Sequence, residues 1–269
     1  MIVRELDDRW VLIEQAEHAR QAGRLAEAWA VETLPASLVT ATRLHDIGWT
    51  TQDAAPRISP VTGGPLNFTE VRDDRHADFY AAGIAEVAEA DPYAGYLVSL
   101  HATGIYAGRF GWNGLRSIAW DALGPRGWRF LDEQEAVRRT LAGRIAAVAP
   151  GSGAGLEFER VWRDYMLLQT FDYLSLLCCL GLASAGCGPV PAAPHTWGRL
   201  HVTRLGPWAV ALAPFPFAGE RLELPVTCRR LEARRFRDDA DLGRALAAAQ
   251  PFAQPLAYVR AAPGGAAAG

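Results

Sequence analysis

Six residues in this chain have types and positions that suit metal chemistry: His18, the adjacent pair His45-Asp46, His76, His101 and Asp172. Most fall on the apolar stripe of an expected helix. His18 shares its stripe with Ala22, Leu25 and Trp29, His76 with Tyr80, Gly83 and Val87, and His101 with Leu97, Val98 and Ile105. Asp172 shares its own with Val161, Tyr165, Leu168 and Leu176, and no basic residue stands one turn from it in either direction. An ionised carboxylate on a buried helix face is costly unless paired or bound to a metal, so Asp172 needs a partner from elsewhere in the chain. Imidazoles and carboxylates converging from separate helices meet that need around a divalent ion. N/O ligation suits Fe, Mn, Zn, Co or Ni and leaves positions open for water and substrate. Four histidines and two aspartates are enough for one or two such ions. With two, Asp46 is placed to bridge them, an arrangement that activates a water and stabilises a leaving oxygen.

The elements that must position these residues read as follows. A short hairpin over the first thirteen residues precedes a helix at 16–30, and a second helix opens after Pro35 and runs to Gly48. A third starts at a cap on Asp73 or Asp74 and ends near Ala90, and a fourth starts at Pro92 and ends near Tyr106. Asp132 with Glu135 predicts a capping box for a fifth, and an apolar sixth spans 156–185. After Gly186 the character changes. Gly188, Pro189, Pro191 and Pro194 read as a linker, followed by short strands at 200–205, 209–213 and 222–231 and a last helix at 239–249. The expected organisation is a helical domain over 1–187 with the N-terminal hairpin, a small antiparallel β appendage over 188–261 that the hairpin is free to join, and a disordered tail at 262–269.

Composition narrows the partners. The chain has 269 residues, a formal charge of −3 and no lysine, so all 27 basic residues are arginine. Schiff-base chemistry, a lysine base and a Walker-type phosphate loop are thereby excluded. The charge balance argues against a nucleic-acid duplex as partner, and no apolar run is long enough for a membrane span. The four cysteines include no C-x-x-C pair and predict reduced thiols in the cytoplasm, with Cys178 and Cys179 as core residues. His195 and His201 are expected to be solvated. A small anionic substrate is the expected partner, with no reading of oligomeric state. Arg43, Asp53, Tyr106 and Arg109 are candidates to contact it, the arginines by neutralising charge and Tyr106 or Trp112 by stacking, within a Trp/Arg-rich segment that also holds Arg116 and Trp120. Gln15, with Asp53, is a candidate to orient a metal-bound imidazole through its second N–H.

The order H…HD…H…H…D resembles the HD-domain superfamily of metal-dependent phosphohydrolases. The phrases QAEHARQAG, RLHDIGW followed by Asp53, SLHATGIY and QTFDYLSLLCC more specifically resemble a bacterial family known as domain of unknown function 3891. The resemblance implies a mainly α, all-helical HD-like core. It also implies His18, His45, Asp46 and Asp172 as ligands of a first metal, with His76 and His101 as ligands of a second or as acid and base. Three activities fit: hydrolysis of a phosphate ester of a small molecule or nucleotide through a metal-activated water, oxygenation by a mixed-valent di-iron centre, or metal and ligand binding without turnover. Many HD phosphohydrolases read HDIGK where this chain has Trp49, and the chain has no GYP motif, which counts against a cyclic-dinucleotide substrate.

Overall fold

The computed structural model describes residues 1–71, 74–115, 123–148, 156–182, 186–193 and 196–262. The expected cap Asp73, the segment residues Arg116 and Trp120, His195 and nearly all of the expected tail lie outside them. Strands β1 (Ile2–Leu6) and β2 (Arg9–Ile13) form the N-terminal hairpin, and helices α1 (Gln15–Glu27), α2 (Ala36–Leu44), α3 (Thr50–Ala54), α4 (Asp74–Ala90), α5 (Pro92–Tyr106), α6 (Pro125–Val148) and α7 (Phe158–Leu176) follow. A π-helical turn, Leu177–Gly181, ends α7. The chain continues through β3 (Cys187–Ala193), β4 (Thr196–Gly206), β5 (Ala209–Ala213), β6 (Arg221–Glu232), α8 (Asp239–Ala248) and β7 (Phe252–Arg260).

Neither an all-α fold nor a small antiparallel appendage describes this arrangement. The strands form one curled seven-stranded mixed sheet in the order β1-β2-β6-β7-β5-β4-β3, in which β5 and β7 run parallel and every other pair is antiparallel. The N-terminal hairpin enters through β2, which pairs with β6 over Arg9–Leu12, so strands from both sides of the expected boundary near residue 187 share one sheet. Two strands hid behind proline. β3, read as a linker, lies at the sheet edge, where Pro189 and Pro191 cost no central ladder bond. In β7, Pro255 faces Pro225 of β6, and at that level neither strand has a further strand on its outer side. The Pro225 carbonyl instead accepts from the Arg24 guanidinium at 2.6 Å. Two helix boundaries also differ. Helix α6 begins at Pro125, so Asp132 and Glu135 lie inside it and cap nothing, and α2 stops at Leu44 rather than Gly48.

One apolar core joins sheet and helices. Ile2, Val11 and Ile13 of the hairpin, Val226 and Tyr258 of the sheet, and Leu25, Leu97, Leu168 and Phe171 of the helices are all buried in it. The Tyr258 hydroxyl donates to the Leu174 carbonyl at 3.3 Å, tying β7 to α7. Burial of this apolar surface is the main driving force holding helices α1, α2, α5 and α7 around a common centre. Among the described residues no helix is long and apolar enough to cross a membrane.

Candidate metal centre

The break after α2 shapes the centre. On a continued helix His45 and Asp46 would point about 100° apart. Instead Asp46 has φ −112° and ψ 18°, and a 3₁₀ turn over Ile47–Trp49 follows. His45 Nε2 and Asp46 Oδ2 thereby come to 3.6 Å. Gly48 permits the turn to lie directly against α4: a Cβ there would meet the Phe79 carbonyl oxygen at 1.9 Å. The glycine of HDIGW is therefore a close-approach residue. Trp49, fully buried, packs edge-on to His76, Tyr80 and Phe68.

Helix α1 supplies His18 and α7 supplies Asp172. His18 Nε2 lies 3.1 Å from Asp172 Oδ1 and 3.8 Å from Asp46 Oδ2, while His45 Nε2 lies 3.6 Å from Asp172 Oδ1. The far side of each ring is tied to protein. His45 Nδ1–H donates to the Thr42 carbonyl at 2.8 Å. The Ser175 hydroxyl donates to the His18 carbonyl at 3.0 Å, so its oxygen accepts from His18 Nδ1–H at 2.8 Å. With Nδ1 so committed, each imidazole turns its Nε2 toward the carboxylate oxygens of Asp46 and Asp172, the nitrogen whose lone pair a cation seated between them would take.

The carboxylates are pinned in the same way. Tyr80 donates its hydroxyl to Asp46 Oδ1 at 2.9 Å, and the Arg109 guanidinium lies 3.4 Å from Asp172 Oδ2. Each carboxylate thus presents one oxygen inward. Two donors each ~2.1 Å from one ion stand about 3–3.5 Å apart in a tetrahedral or octahedral shell. The observed separations of 3.1–3.8 Å match that spacing, and His45 Nε2 is a buried polar atom without a hydrogen-bond partner. Burial opposes a charged His45, but Asp46 and Asp172 outweigh it and lift the imidazole to about 9. Burial would likewise raise Asp172, yet the His18 hydrogen bond at 3.1 Å and the facing His45 imidazole hold its carboxyl well below the usual range. His18, His45, Asp46 and Asp172 are residues that could hold a divalent ion.

Beyond this set lies His101, whose donor atom falls within 4.8 Å of those of His45 and Asp172. Arg109 donates to Gln169 Oε1 at 2.5 Å, which orients the amide so that Gln169 Nε2–H donates to His101 Nδ1 at 2.8 Å. Neutral His101 then carries its proton on Nε2. Burial, with the positive charge of His45 beside it, keeps His101 neutral by pushing it well below its ordinary value. Arg109 reaches this position from a turn in which Gly108, Arg109, Phe110 and Gly111 all have positive φ. For the two non-glycine residues that conformation costs roughly 1–2 kcal/mol each.

The other sequence candidates sit elsewhere. His76 shares a short hydrogen bond with the Tyr106 hydroxyl and borders the centre through Tyr80, its ring centroid 5.0 Å away. Arg43 is 43% exposed and paired with Glu27. Asp53 accepts from the Gln15 backbone N–H at 2.6 Å and pairs with the Met1 ammonium at 2.6 Å. His201 is exposed on β4, and all four cysteines are free and buried. The residues that sequence reasoning missed as partners are Thr42, Tyr80, Gln169 and Ser175. Their signal was spacing: Thr42 three before His45, Tyr80 four after His76, and Gln169 and Ser175 three to either side of Asp172.

Fold and site together define a helix-bundle protein with a buried His/Asp centre, wrapped on one side by a mixed sheet. The chain belongs to the family described as protein of unknown function (DUF3891), whose model matches residues 1–233. No curated protein and no solved structure matches it.

Proposed function

We propose that this chain is a metal-dependent hydrolase of the HD type, acting on the phosphate ester of a small anionic molecule. The observation that carries the reading is the convergence of two imidazole Nε2 atoms and two carboxylate oxygens, each with its opposite atom tied to a protein group. His18, His45, Asp46 and Asp172 hold the ion. When bound, a divalent ion in such a set supplies a Lewis acid that lowers the pKa of a water and polarises a phosphoryl oxygen.

The remaining roles belong to the chain's own side chains. His101, neutral and protonated on Nε2, can donate to an oxygen of the substrate or to the departing alcohol. Arg109 is buried, keeps a fixed positive charge beside the centre, and has an Nε without a hydrogen-bond partner. That unpartnered donor favours an anionic substrate oxygen. Tyr80, Thr42 and Ser175 hold Asp46, His45 and His18 in place, so the groups need no reorganisation when charge develops.

The test is a panel of phosphomonoesters and nucleotides incubated with protein reconstituted with Mn, Co, Ni, Zn or Fe(II), read as released phosphate. Turnover of one class is expected, with a loss of about a thousandfold or more in His45→Ala/Asp46→Ala. Activity that survives that double substitution would contradict the reading, as would a ligand that stabilises the protein and is recovered unchanged.

A further inference from the structure

We propose that Arg109 and Gln169 make this a one-ion centre, with the Arg109 guanidinium standing as the second positive charge beside Asp172. The proposal rests on the metal reading above and concerns what limits it. Counting donors alone, His45, His101 and Asp172 form another convergent group next to His18, His45 and Asp46, and two ions would be expected. The hydrogen bonds take that second group apart. His101 Nδ1 is occupied by the Gln169 amide at 2.8 Å, and Asp172 Oδ2 faces the guanidinium at 3.4 Å. Arg109 sets both contacts, since its bond to Gln169 Oε1 also decides which end of the amide meets His101. His76, the remaining candidate, is held by Tyr106.

Charge gives the same answer. Asp46 and Asp172 are the carboxylates of the cluster, and with the guanidinium already facing Asp172 they leave no charge to offset a second divalent ion. The other buried aspartates nearby in sequence are engaged elsewhere, Asp53 with the Met1 ammonium and Asp164 with Tyr93. A second divalent ion would place uncompensated charge in a water-poor site already holding an arginine, which burial makes costly. An arginine cannot shed its proton to make room. The guanidinium therefore stands where a second ion would: it faces Asp172 Oδ2 and offers donors to an anionic oxygen next to the first ion.

The experiment titrates chelator-stripped full-length protein with manganese(II) in excess, reading bound metal by elemental analysis after dialysis and ion coupling by electron paramagnetic resonance. Wild type is expected to bind one equivalent with the spectrum of an isolated ion. Arg109→Met, which keeps the stem and removes the charge, is expected to take up a second equivalent with a spin-coupled signal, and Arg109→Lys to remain at one. A coupled pair in wild type overturns the proposal without needing any variant to fold. Folded Arg109→Met that still binds one ion overturns it as well. In both cases the metal centre itself would stand. No ion in wild type or variants would instead overturn the metal reading, and this inference with it.

Discussion

Helix α7 buries two aspartates about two turns apart, and their surroundings drive them in opposite directions. Asp164 is fully buried, accepts from the Tyr93 hydroxyl at 2.8 Å and has Arg163 at 3.5 Å. Burial prevails there, and its carboxyl is pushed above the ordinary range. Asp172 is as deeply buried, but the His18 hydrogen bond and the facing His45 imidazole override burial and hold it far below that range. One hydroxyl and a peripheral arginine make a structural anchor. Two imidazoles with their outer nitrogens already committed make a place that could hold a cation. Burial of a carboxylate marks nothing by itself, whereas burial against two imidazoles whose outer nitrogens are committed makes a candidate site.

The same substitution at the two positions separates the roles most sharply. Asp172→Asn is expected to abolish tight metal binding, because it removes one of the two balancing charges, while Asp164→Asn leaves metal content unchanged; elemental analysis after dialysis reads both. A more graded effect belongs to Ser175→Ala. Its hydroxyl only fixes the His18 tautomer, so metal affinity should fall roughly 10–100-fold with the fold intact, measured by competition with a chelator. Asp164→Asn should then show its own cost in stability, about 1–3 kcal/mol by denaturant unfolding, from a damaged buried hydrogen bond. The smallest effect lies in α8, far from this contrast in kind. Hydrogen bonds from Arg234 and Arg237 hold Asp241 well below the unfolded carboxylate value of 3.8. Because the folded value is the lower one, this contribution is present above 3.8 and fades as pH falls through the folded value. Asp241→Asn should slightly lower the melting temperature at neutral pH, and the wild type's advantage over it should shrink progressively in acid.

Much of the centre was legible because helical periodicity is local. The inward faces of α1, α5 and α7 bring His18, His101 and Asp172 toward one another. The contact of Arg109 with Asp172 was beyond any periodic signal: Arg109 arrives from 63 residues away through a turn of positive φ. The break at His45-Asp46 was also hidden, since Gly48 reads as a helix stop and the chain leaves the helix a turn earlier to pass against α4. The sheet was misjudged because Pro189 and Pro191 read as part of a linker and the stretch holding Pro255 was given no strand. Each sits at an edge or beside an unpaired flank, where a missing N–H costs nothing, and only tertiary context reveals that.

The central claim is that these imidazoles and carboxylates hold a metal ion. Elemental analysis of freshly purified, untagged protein beside His45→Ala/Asp46→Ala tests it most directly. The account predicts one equivalent of a divalent transition metal in the wild type and none in the double variant. Metal absent from wild type even after reconstitution, or retained equally by both proteins, would contradict it.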